Sequence, residues 1–199
     1  RCSSPPSECW RSAPHWPWVT RDDEAESRRI APAIHHKDGG SIATYRRMIH
    51  HMDEGIGQLL QALRRVGRLD DTLIVFTSDN GALAPGPDGA GSNAPLRDAK
   101  GSTWEGGQRV PCVMRWSGQI PAGSVVTEMA SALDLLPTFA RLCHAESPTD
   151  RVLDGDDISG LLGLGDAVPD ADRAFFYIGG GNIEAVRVGP WKLHVRKGS

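Results

Sequence analysis

Thr72-Leu73-Ile74-Val75-Phe76-Thr77 runs directly into Ser78-Asp79-Asn80-Gly81. The first six residues are apolar on both alternating faces, the pattern of a buried central strand rather than a half-exposed edge. Upstream, Tyr45, Met48, Ile49, Met52, Ile56, Leu59, Leu60 and Leu63 recur at three- and four-residue steps, which predicts one amphipathic helix. Ser41 or Thr44 can cap its start, and Gly67 can end it in a left-handed turn. A helix, a short turn and a buried strand form half of an α/β unit. In open α/β sheets, ligands collect beyond the carboxyl ends of the strands, and Asp79 and Asn80 fall there.

Working outward, residues 81–103 are rich in Gly, Ala, Pro and Asn and carry no period, so a long functional loop is expected. Val110 to Trp116 reads as a second strand, with Pro111 at its start. Asp134 is expected to cap a helix on which Leu136, Phe139, Ala140 and Cys143 share a face, with Pro137 in the permitted first turn. Arg173–Ile178, Ile183–Val188 and Trp191–Val195 read as three short strands separated by glycine-containing turns, an antiparallel meander. Residues 1–40 hold five prolines and a charged run from Arg21 to Arg29, and read as irregular.

The bulk numbers exclude several classes. A chain of 199 residues suffices for one domain or for parts of two. Hydrophobic content of 39% and charged content of 24% are those of an ordinary globular protein. A net charge of −3 gives no ground for a nucleic-acid partner or an anionic membrane. No apolar run approaches the roughly 20 residues of a transmembrane helix. The amino terminus has neither an initiator Met nor an apolar signal core, so the chain is expected to be a piece of something longer. Of the four cysteines, Cys2 and Cys9 sit in a Pro/Ser-rich stretch, while Cys112 and Cys143 lie in apolar segments that predict buried free thiols.

Asp79 and Asn80 present adjacent carboxylate and carboxamide oxygens, donors suited to Ca²⁺ or Mg²⁺. The same residues also spell an Asp-Asn-Gly turn, in which Gly81 takes positive φ. Lys100, in Asp98-Ala99-Lys100-Gly101, is either a solvated surface lysine or a point charge for a tetrahedral anion. Trp104-Glu105-Gly106-Gly107 implies close backbone packing, with Glu105 accepting bonds from loop amides. His15, between Pro14 and Pro17, is held on a stiffened backbone and can contact an anion or protonate a leaving oxygen. His35-His36 and His50-His51 are adjacent pairs whose members do not face the same way, poor geometry for a metal. Asp156-Asp157 reads as a turn or cap. A metal paired with a lysine suits a sulfate or a phosphate ester alike.

The combination of S-D-N-G (Ser78–Gly81) with K-G-x-x-W-E-G-G (Lys100–Gly107) resembles the sulfatase family of the alkaline-phosphatase superfamily. The resemblance runs from Tyr45-Arg46-Arg47-Met48 through Gly91-Ser92-Asn93-Ala94-Pro95-Leu96-Arg97 and Asp134-Leu135-Leu136-Pro137-Thr138 to Ala185-Val186-Arg187. It implies the carboxyl-terminal part of a sulfatase: an α/β fold in which part of a large mixed sheet flanked by helices is followed by a small antiparallel sheet. Residues 1–40 would carry the substrate histidine, 41–145 the last part of the catalytic domain, and 146–199 the start of a smaller, truncated subdomain. By resemblance Asp79 and Asn80 are calcium ligands, with magnesium the second choice, and Lys100 and His15 contact the sulfate. The substrate implied is a small sulfated molecule, with nothing to fix an oligomeric state. The family's nucleophile is a formylglycine made in a C-x-P-S-R-type motif. Cys2-Ser3-Ser4-Pro5-Pro6 lacks that pattern, and the family's amino-terminal acidic ligands and K-x-H element are also absent. The formylglycine is therefore expected upstream, and the chain alone is expected to show no turnover. A related phosphonate or phosphodiester hydrolase, or a non-catalytic anion- or metal-binding homologue, are the alternatives.

Overall fold

A computed structural model of the protein describes residues 42–83 and 91–195. These fall into two compact units, 42–69 with 82–83 and 91–95, and 70–81 with 96–195. His15, Cys2, Cys9 and the His35-His36 pair lie outside the described residues.

The first unit is built on helix α1, Ile42–Arg65. Its apolar stripe puts Met48 at 2% exposure, and full burial of such a side chain is worth roughly 1.5–3 kcal/mol. The opposite face carries His50, whose Nε2 lies 3.3 Å from Glu54 one turn on. The helix ends as its sequence predicts. Gly67 has φ +68°, its amide donates to Arg64 (3.1 Å), and the Arg68 amide reaches back to Leu63 (2.9 Å). That pairing caps the last carbonyls of the helix. Further on, the Asn93 carboxamide accepts from the Ala82 amide (2.8 Å) and donates to the Ala82 carbonyl (2.9 Å), replacing the strand neighbour that this backbone lacks.

The second unit holds two antiparallel sheets. Strand β1, Ile74–Thr77, pairs with β2, Cys112–Arg115, in the register Ile74↔Arg115 to Thr77↔Cys112. Among the described residues β1 has a single hydrogen-bonded partner, and it is not the fully buried strand its sequence predicts: Phe76 is 48% exposed and Val113 opposite it 62%. The same openness leaves Cys112 exposed, and Cys143 at the end of the following helix is exposed as well. Both are free thiols, as expected, but neither is buried. The second sheet is the expected meander: β3 (Ala174–Gly179), β4 (Asn182–Val188) and β5 (Trp191–His194), in that order. A short helix α2, Glu105–Gln108, follows the Lys100 loop.

Helix α3, Leu135–Leu142, follows. On its apolar face Leu136 is 53% and Phe139 37% exposed. Buried are Asp134, Pro137 and Thr138. The reason is polar: the Thr138 hydroxyl donates to the Asp134 carbonyl (2.6 Å) and accepts from the Ile158 amide (3.0 Å). The cap shifts. Ser131 caps the 3₁₀ turn Ala132–Asp134 in a capping box whose reciprocal partner is Asp134. The Asp134 carboxylate, fully buried, takes the Arg173 guanidinium in a two-pronged pair at 2.7 and 2.8 Å, plus the amides of Ser131 and Asp156. Arg173 also binds Asp156 (3.0 Å) and the Met129 carbonyl (3.0 Å), and Asp157 caps the next turn through the Ser159 amide (2.8 Å).

Removing one member of so enclosed a pair leaves the other charged and stranded. Asp134→Ala is expected to lower unfolding free energy by about 3–5 kcal/mol. The double variant Asp134→Leu/Arg173→Met should cost markedly less than the two single changes summed. Urea unfolding checks this, and strict additivity would refute the coupling.

Candidate functional site

The site grows from close contact between backbones. Ser78 braces the bend after β1, its hydroxyl donating to the Asn80 carbonyl (2.9 Å). Gly81 is not in the left-handed region that the turn reading requires. Its amide donates to the Gly107 carbonyl (3.0 Å), and a Cβ at Gly81 would collide with the carbonyl of Gly106. Gly106 in turn lies against the carbonyls of Arg97 and Asp98, and Gly107 against those of Ala99 and Ser102, with no room for a side chain at either. The Gly106 amide donates to Arg97 (2.7 Å) and the Ser102 amide to Ala99 (3.1 Å). Three glycines thus join the Asp79-Asn80 bend to the loop that carries Lys100, as the close packing expected of Trp104–Gly107 required.

Asp79 is exposed, Asn80 half-buried and Lys100 exposed. Among the described residues no three His, Cys, Asp or Glu side chains cluster as a metal site. Asp79 and Asn80 can therefore furnish two oxygens of the six to eight that calcium takes. They fit such an ion as part of its shell, and the other donors must come from elsewhere.

Glu105 has other partners than loop amides. Its carboxylate accepts from Lys192 (2.9 Å), Arg187 (2.9 Å) and, more loosely, the Tyr177 hydroxyl (3.4 Å), all from the meander. Lys192 also donates to the Thr103 carbonyl (2.6 Å) and lies 3.4 Å above the Tyr177 ring. The Thr103 hydroxyl donates to Glu184 (3.1 Å). Trp104 stacks on His194 with ring centroids 3.6 Å apart, and the Arg97 guanidinium covers Trp104 at 3.7 Å. Burial and the charges of Lys192 and Arg97 push the His194 imidazole below its ordinary range.

None of Lys192, Tyr177 or His194 stands out in the sequence, and Arg187 enters only through Ala185-Val186-Arg187 in the family resemblance. The available signal was alternation: Lys192 and His194 interleave with Trp191 and Leu193. In the structure Trp191 and Leu193 are the exposed pair, at 81% and 67%, while the Lys192 side chain is 12% exposed.

Burial works to raise the Glu105 pKa, but the Lys192 hydrogen bond and the charges of Lys192 and Arg187 more than offset it, holding the carboxyl below its ordinary value of 4.5. A depressed carboxylate contributes stability that is present above its unfolded value and lost as pH falls through the folded one. Glu105→Gln should therefore melt below the parent at pH 7, with the gap closing as pH falls below the ordinary glutamate value and through the lowered one. Thermal melts from pH 7 to 3 test it; a gap that stays constant would show that the charge is not what Glu105 contributes.

Most of the chain is similar to known proteins. The family described as Sulfatase matches residues 11–145. Mouse (Mus musculus) steryl-sulfatase is 44% identical over 144 residues, which are 70% of this chain and 23% of that protein. N-acetylgalactosamine-6-sulfatase of the same species is 37% identical over 148 residues, 74% of this chain and 28% of that protein. The chain thus spans about a quarter of the length of the curated relatives it matches. Among solved structures, that of Ps i-CgsB in complex with k-i-k-neocarrahexaose superposes with a TM-score of 0.72 at 36% identity, over 92% of this chain and 39% of that one. The PsFucS1 sulfatase from Pseudoalteromonas sp. gives 0.64 at 34% identity, over 76% of this chain and 30% of that one. With a family match over more than half its length and α/β sulfatase structures as its neighbours, the chain belongs to the sulfatase family.

Proposed function

We propose that the full-length protein carrying this chain hydrolyses a sulfate monoester, adding water across an S–O bond to release an alcohol and sulfate. The observation that carries the reading is the glycine-mediated junction of the Asp79-Asn80 bend with the Lys100 loop. It brings two oxygen donors and one ammonium into a single packed unit, on a chain whose relatives are named as sulfatases. Steryl-sulfatase and N-acetylgalactosamine-6-sulfatase differ in the organic group their names specify. The sulfate ester is what those names share, and it is the substrate class proposed here.

Each residue's part follows from its chemistry. Asp79 and Asn80 would hold calcium through side-chain oxygens, and when bound the ion supplies fixed positive charge to the sulfuryl oxygens. Lys100 offers a compact positive charge to a further sulfate oxygen and to the negative charge that develops as the S–O bond breaks. His15 would contact the sulfate from another side and give a proton to the departing oxygen. The nucleophile proposed is a formylglycine outside this chain. Residues 1–40, 41–145 and 146–199 are read respectively as the histidine segment, the end of the catalytic α/β domain and the start of a smaller subdomain. Apolar residues left open on β1 and β2 support a larger layered sheet in the whole protein. No helix among the described residues is long and apolar enough to cross a membrane.

In the full-length protein, Asp79→Ala should abolish the calcium heat seen by titration calorimetry, and an unchanged isotherm would remove the metal assignment. Lys100→Ala should lower kcat on an aryl sulfate by about 10²–10³-fold with an unaltered circular dichroism spectrum. Parental turnover would take Lys100 out of the site.

A further inference from the structure

We infer that the inward face of the β3–β4–β5 sheet, with Lys192 at its centre, is the positioning element that sets Lys100 and the Asp79-Asn80 bend in register. The argument begins with a run of three residues. Thr103, Trp104 and Glu105 follow Lys100 by three to five positions, and each is held by a side chain of this sheet. Lys192 takes the Thr103 carbonyl and Glu184 the Thr103 hydroxyl. His194 stacks under Trp104. Lys192 and Arg187 together bind the two oxygens of Glu105.

Lys192 alone reaches both ends of that run, at 2.6 Å and 2.9 Å, from a side chain only 12% exposed. Its stem direction is set by the sheet register, in which Lys192 sits opposite Arg187 and His194 opposite Ala185. From Glu105 the chain enters α2, where Gly106 binds Arg97 and Gly107 accepts from Gly81. A displacement at Glu105 is therefore passed in one direction to the Lys100 loop and in the other to the bend bearing Asp79 and Asn80. None of these sheet side chains needs to touch substrate. Lys192 acts through Lys100 and is a positioning residue.

The inference rests on the sulfatase reading, and its test separates the two. In the full-length protein, Lys192→Met keeps the apolar stem over Tyr177 and removes the ammonium. It should lower kcat on an aryl sulfate by about 10–100-fold, with KM changed less than about twofold. In a Lys100→Ala background the same change should have a clearly smaller further effect, because only its route through the Asp79-Asn80 bend remains. A purely structural role would reduce the yield of folded protein but leave the loss multiplicative. Equal losses in both backgrounds, or parental kcat, would overturn the inference. Glu105→Gln, which retains volume and one acceptor oxygen, should show the same dependence on Lys100 and serves if Lys192→Met does not accumulate. If the protein hydrolyses no sulfate ester, the sulfatase reading falls and amide hydrogen exchange decides the inference. Faster exchange confined to Gly81, Ser102, Gly106 and Gly107 in Lys192→Met supports positioning. Unchanged exchange there, or uniform acceleration along the chain, rejects it.

Discussion

A carboxylate that is three-quarters withdrawn from water must be met by positive charge, and Glu105 obtains it from strands more than 80 residues further along the chain. That requirement organises the second unit. Lys192 and Arg187 can reach Glu105 only if β4 and β5 pair in the observed register and present alternate residues to the same side. A slip of one residue between β4 and β5 would turn Arg187 and Lys192 to opposite faces, leaving the carboxylate one cation and an apolar Val186 or Leu193 in place of the other. The ion cluster and the strand register thus select each other. The Asp134–Arg173 pair works in the same manner at the entrance to β3, tying it to the start of α3. Exposed pairs such as Asp150–Arg151 contribute little beside these two, because water competes for both partners.

The second constraint is steric. Gly81, Gly106 and Gly107 each lie where a Cβ would enter another segment's backbone. Backbones this close exclude intervening side chains, so the relation between the Asp79-Asn80 bend and the Lys100 loop is fixed by peptide geometry rather than by rotamers. For a site proposed to place charge around a tetrahedral anion, that is a physical advantage. Preorganised charges need no reorientation as the reacting bond breaks.

How much of this was legible depends on the kind of signal. Helix α1 and its Gly67 terminus could be read directly, because a long apolar stripe and a left-handed glycine are local properties. The three strands of the meander were legible for the same reason, their turns being marked by Gly180-Gly181 and Gly189-Pro190. Trp104–Gly107 announced close packing through its glycines. The burial of β1 was misjudged because burial depends on what covers a strand, which its own residues do not state. The burial of Asp134 and Thr138 at the start of α3 was not legible, because it depends on hydrogen-bond partners at Ile158 and Arg173 far along the chain. Glu105 was placed near the site, but its partners lie too far along the sequence for any local pattern to name them. His15 falls outside the described residues, so its place relative to Lys100 rests on sequence resemblance.

The meander also shows why alternation fixes the two faces of a strand without telling which one is inward. In β5 the polar residues face the protein and the apolar ones face out, because the segment they meet carries a carboxylate, a carbonyl and an indole. An apolar inward face would bury more hydrocarbon, yet it would grip Thr103–Glu105 without direction, since dispersion contacts tolerate sliding. Lys192 and Arg187 instead impose distances and angles on named oxygens. Placing charged groups here carries a desolvation cost that their pairing offsets. What the arrangement provides is a defined register for the loop that bears Lys100. A lysine proposed to meet a sulfate oxygen gains more from directional restraint of its loop than from additional apolar burial beneath it.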